Sequence, residues 1–269
     1  MRTPGTLRCT PRWDDMIAMA AAIVGILIAG ILISMEVGHR IGVRRARNPG
    51  RRHPLSASIQ GAIFGLMALL VSFTFYGAGS RFDARRSLAV REANAIGTTY
   101  LRLDLLPPET QPELREDFRV YLRSRLAVFQ QIPNIKAVKA ALDRSSALQD
   151  SLWTKVVKAS NGIGPAERIL ILSSLNDTID ITTESTVAFI THPPAAVFIM
   201  LALTVIFSSG LAGYEMSGSS RRDWVSTISF TLVLAIALYV ILDYEFPRIG
   251  LIRVDPVDQV LVHTLNKMK

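Results

Sequence analysis

Apolar residues in this chain gather in four blocks almost free of charge, and the charged residues fill the stretches between them. The blocks run from Met16 to Met35, Ser58 to Ser80, Pro193 to Tyr214 and Trp224 to Leu242. A soluble core needs apolar positions recurring at a helical or strand period. A hydrocarbon solvent instead needs about 20 consecutive apolar residues for each helix that crosses it. The four blocks follow the second rule and predict transmembrane helices at 16–35, 58–80, 193–214 and 224–242. The first is too long for the apolar part of a signal peptide and no A-x-A site follows it, so it reads as a retained span. Trp13, Tyr214, Trp224 and Tyr244 stand at block edges, where amphipathic rings favour the membrane interface.

Residues 81–192, between the second and third spans, carry 15 Lys/Arg and 13 Asp/Glu. That is too much charge for hydrocarbon and too many apolar residues for disorder, so this segment is expected to be an extramembrane helical domain. No proline occurs from Ser58 to Leu106, so the second span is expected to continue as one helix until Pro107 and Pro108 end it. A second helix is expected from Pro112 to Ile132, a third from Asn134 to Ser160 before Asn161-Gly162, and a fourth from Pro165 to Thr191. No strand pattern is present. The expected class is all-α: four transmembrane helices with an extramembrane helical domain between spans two and three. Around these lie an N-terminal tail at 1–15, a basic loop at 36–57, a short loop at 215–223 and a C-terminal tail at 243–269.

Charge adds orientation to this picture without deciding it. Arg40, Arg44, Arg45, Arg47, Arg51 and Arg52 in the first loop, with Arg221 and Arg222, vote for one side as cytoplasmic. Arg2, Arg8, Arg12, Arg81, Arg85, Arg86, Arg91, Arg248 and Arg253 vote for the other. The net charge of +8 lies beside apolar blocks and is not interleaved with aromatics, which argues against nucleic acid as a partner and for anionic headgroups. A single cysteine, Cys9, excludes an internal disulfide framework and a cysteine zinc cluster.

The inventory for catalysis is thin. His39, His53, His192 and His263 have no partner at i+3 or i+4, and no nucleophile elbow, phosphate loop or nucleotide fingerprint occurs. The expectation is no enzyme, no cofactor and no metal. Gly61 and Gly65 form a G-x-x-x-G, which within a span reads as a helix-packing face.

The most informative stretch is 58–106. An apolar helix ends in Phe73-Thr74-Phe75-Tyr76 and then carries Arg81, Asp83, Arg85, Arg86, Arg91 and Glu92. On its own this is a span boundary followed by a solvated helix. At the far end of the domain, Ile169 to His192 contains no Lys or Arg, only Asp177, Asp180 and Glu184 as charges. A basic helix leaving the membrane and an acidic helix returning to it are expected to pack antiparallel. Arg85 or Arg91 then pairs with Glu184 or Asp180.

Several of these segments resemble the bestrophin-like family of bacterial membrane proteins. The motif Ser80-Arg81-Phe82-Asp83-Ala84-Arg85-Arg86 is followed by Arg91-Glu92-Ala93-Asn94-Ala95-Ile96-Gly97 and by the leucine-rich Tyr100 to Pro107. Leu175-Asn176, Gly213-Tyr214 and the D-x-x-x-P-x-x-G of Asp243, Pro247 and Gly250 complete the order over residues 58–255. The family is in turn distantly similar to bestrophins, pentameric ion channels whose second spans line an apolar neck and whose helical region is cytoplasmic. The acidic calcium-binding segment of bestrophins is not reproduced after span four, where Asp243-Tyr244-Glu245-Phe246-Pro247 leads into Arg248.

The resemblance implies a homo-oligomer in a bacterial inner membrane, with the lipid bilayer and inorganic ions as its partners. Gly65, Leu69 and Phe73 share one helical stripe and would form the pore lining and gate. Arg81 and Arg85 would set the potential at the pore mouth. It also favours both termini and the helical domain being cytoplasmic, against the six arginines of the first loop. Two alternatives stay open: Leu69 and Phe73 pack against neighbouring spans, or the whole chain is a membrane-tethered sensing or scaffolding module without transport. Oligomeric state separates a channel from a scaffold.

Overall fold

The computed structural model describes residues 13–46, 57–130, 135–218, 223–247, 251 and 255–268. Cys9, His53, Pro133 and Gly250 lie outside the described residues, as do Arg2, Arg8, Arg12, Arg47, Arg51, Arg52, Arg221, Arg222, Arg248 and Arg253. Eight α-helices occur among the described residues and no strand. They are α1 (Trp13–Ala46), α2 (Ala57–Arg102), α3 (Gln111–Gln130), α4 (Ile135–Ala159), α5 (Pro165–Ile190), α6 (Ala195–Glu215), α7 (Trp224–Glu245) and α8 (Asp255–Lys267). Four helical segments, built on α1, α2, α5–α6 and α7, are long and apolar enough to cross a membrane.

Local chemistry explains where the helices start and stop. With 46 residues, α2 is about 69 Å long at 1.5 Å per residue, and a short 3-10 turn at Leu103–Leu105 closes it before Pro107. There the Gln111 side chain donates to the Leu106 carbonyl at 2.8 Å and the Thr110 hydroxyl to Pro107 at 2.8 Å, satisfying carbonyls that no helix uses. Pro165 opens α5 at its first turn, where a missing N–H costs nothing. Asp223 caps α7, its carboxylate accepting from the Ser226 backbone N–H at 3.1 Å.

Two compact units emerge. The charged unit comprises Asp83–Thr191 and α8. Its core joins Ile96, Tyr100 and Leu103 with Phe118 and Leu122 of α3, Leu152 and Val156 of α4, and Ile171 and Leu175 of α5. Leu261 and Met268 are buried in the same core, so part of the stretch read as a C-terminal tail is a helix with a packed face. That helix was not legible as a domain element, because only tertiary packing distinguishes its 13 residues from a solvated segment.

The apolar unit comprises Trp13–Phe82 and the described part of His192–Leu251. Ile31 and Met35 of α1, Leu201 and Val205 of α6 and Leu234, Ala235 and Leu238 of α7 form its core, with Met67, Leu70 and Val71 of α2 against them. Close approach of α1 and α6 rests on glycine. A Cβ on Gly213 would strike the backbone of Met35, one on Gly38 the carbonyl of Gly210, and one on Gly42 the Ser217 side chain. Ser34 Oγ donates across the same seam to the Ile206 carbonyl at 2.6 Å. Gly61 and Gly65 have nothing within 4 Å of their Cβ positions, so among the described residues no helix packs closely on this G-x-x-x-G. Hydroxyls of Thr74, Thr204, Thr227 and Thr231 donate to carbonyls one turn back, so these four donors are satisfied within their own helices.

Candidate functional site

Within the apolar unit, α2 has two faces. Met67, Leu70, Val71 and the fully buried Ala78 turn towards the bundle. Gly65, Leu69 and Phe73 are on the other side, with Leu69 49% and Phe73 64% exposed, and Tyr76 extends this face at 76%. Neither Leu69 nor Phe73 is buried by a neighbouring span of its own chain.

At the end of this stretch the unit assembles a charged cluster around Glu245, whose side chain is 1% exposed. Arg81 donates to its Oε2 through Nε at 2.8 Å, with Nη2 2.7 Å from the same oxygen, and His192 Nδ1 lies 2.9 Å from its other oxygen. The His192 ring stacks on Phe246 with centroids 4.9 Å apart, while Tyr244 packs edge-on to Phe75 at 5.8 Å and against Phe82 at 5.2 Å. A carboxylate buried at a span end persists only when its charge is paired and hydrogen-bonded, and here the Arg81 guanidinium supplies both. Asp243, also buried, accepts from the Leu251 backbone N–H at 3.2 Å, so the first residue of the D-x-x-x-P-x-x-G motif holds Leu251 beyond the end of α7. The pairing of Glu245 with His192 is not visible in the sequence, because 53 residues separate them. The signal was there in one respect: an acid ending an apolar block requires a cation.

The other charged candidates belong to the charged unit. Arg85 is 7% exposed and donates to the carbonyls of Ala188 and Thr191, each at 3.0 Å, at the C-terminal end of α5. A cation there meets the negative end of the helix dipole. Arg91 Nη1 lies 3.6 Å from Glu184 Oε2, with both side chains more than half exposed. Asp180 accepts instead from Asn176, at 2.8 Å. The strongest pair was not anticipated: Arg125 Nε donates to Glu92 Oε1 at 2.6 Å with both side chains at 1% exposure or less. Arg125 also donates to Thr186 at 3.3 Å. Burial alone would lower the Arg125 pKa, but the Glu92 charge and hydrogen bond outweigh it and hold the guanidinium above its ordinary value. Beside it, burial pushes the Tyr121 phenol up to about 12, and its oxygen shares hydrogen bonds with Thr182 and Gln149, both at 2.9 Å.

No group of three or more His, Cys, Asp or Glu suited to a metal occurs among the described residues. What the arrangement offers is an uncovered apolar stripe on one long helix and clusters that fix that helix to its neighbours in each unit.

Comparison with protein families gives a match to the Bestrophin-like domain over residues 16–259. Comparison with curated protein sequences gives no match. Among solved structures, the chain is similar to a bacterial bestrophin homolog from Klebsiella pneumoniae. One point mutant of that protein aligns with a TM-score of 0.64 at 14% identity, covering 90% of this chain and 98% of that one. A second mutant gives 0.67 at 13% identity with the same coverage, 90% and 98%. The form solved by Zn-SAD phasing gives 0.62 at 13% identity, with coverage of 92% and 97%. At such identities the likeness is one of fold.

Proposed function

Because the chain belongs to the bestrophin-like domain family and is a multi-pass membrane protein, we propose that it forms an oligomeric ion channel, in a bacterial inner membrane, with α2 lining the pore. The observation that carries this reading is the stripe of Gly65, Leu69 and Phe73, apolar and uncovered by the chain's own helices. An oligomer with α2 around its axis converts that stripe into rings. Leu69 and Phe73 then form a constriction that empties of water and blocks ions until it widens. A pentamer is the number that the likeness to bestrophins implies. Arg81 and Arg85 lie roughly two and three turns beyond Phe73, where about 100° per residue carries them round towards the side of Ala78. Arg81, a third exposed, is the pore-mouth charge in this reading and Glu245 moderates it. Arg85 is held by the α5 carbonyls and acts by keeping α5 in place.

The test is conductance in planar bilayers. Leu69→Ala and Phe73→Ala are each expected to raise single-channel current or open probability several-fold, because a wider, less apolar ring holds water. An absence of current from wild type and both variants, under cation and anion gradients alike, rules the channel out. Mass measurement in detergent separates the competing class: a ring-forming oligomer accords with a channel, whereas a monomer or dimer accords with a tethered scaffold.

A further inference from the structure

The charged unit contains a surface that its described residues leave open. Lys155, late in α4, reaches Glu113 and Asp117, early in α3, at 2.7 and 2.6 Å, so the two helices run antiparallel. Towards their joined end they enclose a cleft of about 610 Å³. Each helix lines it with a stripe at i, i+3, i+4 and i+7, the positions 120, 123, 124 and 127 on α3 and 137, 140, 141 and 144 on α4. Ala127, Ala137, Ala140 and Ala141 make a floor low enough for a helix to approach closely, while Arg123 and Arg144 make its charged rim. No lining residue is acidic. Arg123 shares Glu116 with Arg119, and Arg144 has no ion-pair partner among the described residues.

The complementary surface is on α5. Its buried face, including Ile171, Leu175 and Thr178, is spent on the core of its own unit. The opposite face exposes Asp177, Asp180 and Glu184 about one turn apart, in a stretch without Lys or Arg from 169 to 192. Asp177 has no ion-pair partner among the described residues, and the Glu184 contact with Arg91 is exposed and long.

We propose that the α3/α4 cleft receives the acidic face of α5 from a second copy of the chain. The acidic stripe meets Arg123 and Arg144, and the helix seats on the alanine floor, in the manner of a helix in a groove. The contact is heterologous, joining two different surfaces, so its repetition closes a ring when the rotation between copies fits. This rests on the oligomeric reading above and names the surface that carries it.

Cross-linking tests it, in a background with Cys9→Ser so that no native thiol interferes. Asp177→Cys in one tagged chain and Arg144→Cys in another are coexpressed, purified in detergent and oxidised. A disulfide-linked pair carrying both tags is expected, absent when either variant is made alone. Arg144→Glu is expected to raise the concentration at which the oligomer dissociates about tenfold, with Arg123→Glu as the independent variant, and Asp177→Arg added to Arg144→Glu restores it. An intact wild-type oligomer that gives no mixed disulfide and ignores both charge reversals overturns this interface and leaves the oligomeric reading standing. A wild-type monomer by native mass overturns both.

Discussion

Arg125 with Glu92 and Arg91 with Glu184 each join α2 to another helix of the charged unit, and burial separates what each is worth. Arg125 and Glu92 are shut off from water, whereas Arg91 and Glu184 are both more than half exposed at 3.6 Å. Removing one member of a buried pair strands the other charge in a poor solvent, at a cost of about 3–5 kcal/mol. An exposed pair is screened by water and salt and contributes about 0–1 kcal/mol. Glu92→Gln or Arg125→Met is therefore expected to cut thermal stability in detergent severely, while replacing both residues by Leu recovers most of the loss. Arg91→Glu is expected to cost little, with a coupling to Glu184→Arg in a double-mutant cycle below about 1 kcal/mol. Equal coupling in the two cycles would contradict this account. The neighbouring phenol supports the same view of the site: burial that pushes Tyr121 up to about 12 is burial in which an unpaired charge is costly.

At the scale of elements, the seam between α1 and α6 depends on what glycine lacks. Gly38 and Gly213 place one helix backbone against the other, and a Cβ at either would overlap backbone atoms that cannot give way. Gly213→Ala and Gly38→Ala should force the helices apart, costing about 1–3 kcal/mol each by overpacking and lowering the melting temperature in detergent. Gly61→Ala, facing open space, should leave the melting temperature of the dissociated chain within a degree or two. A reversed order would place the packing seam on α2. This contrast also shows what the sequence could convey. Hydrocarbon imposes its demand on consecutive residues, so the spans could be read directly, and proline and glycine act locally, so Pro107, Gly162 and Pro165 marked helix ends. G-x-x-x-G states only that a face is small, and does not name its partner. Thus Gly61 and Gly65 drew attention while Gly38 and Gly42 did the packing. Glu92 with Arg125, and Glu245 with Arg81 and His192, escaped for a related reason. Each joins residues 33 or more positions apart, and their pairing exists only after the helices have packed.

For the whole molecule, the decisive fact is that each unit has a separate core suited to its own solvent. The apolar unit leaves Ile26, Phe207, Val225 and Val233 at least 70% exposed, as lipid-facing helices should, and relies on close backbone contact inside. The charged unit buries Phe118, Leu122, Val156, Ile171 and Leu261 completely and is held by the hydrophobic effect in water. Closing that second core takes residues from the far end of the chain, because α8 contributes Leu261 and Met268 to it. Leu261→Ala removes a side chain at 0% exposure and is expected to cost the charged unit about 2–5 kcal/mol. Hydrogen exchange is the measurement that resolves where this loss falls. Amides of α3, α5 and α8 should exchange faster in the variant, by the factor that the lost stability implies, while those of α1, α6 and α7 keep their wild-type protection. Because α2 contributes to both units, its two ends should respond differently: residues 83–102 lose protection and residues 58–80 retain it. Uniform loss along α2 would mean that the two cores unfold as one.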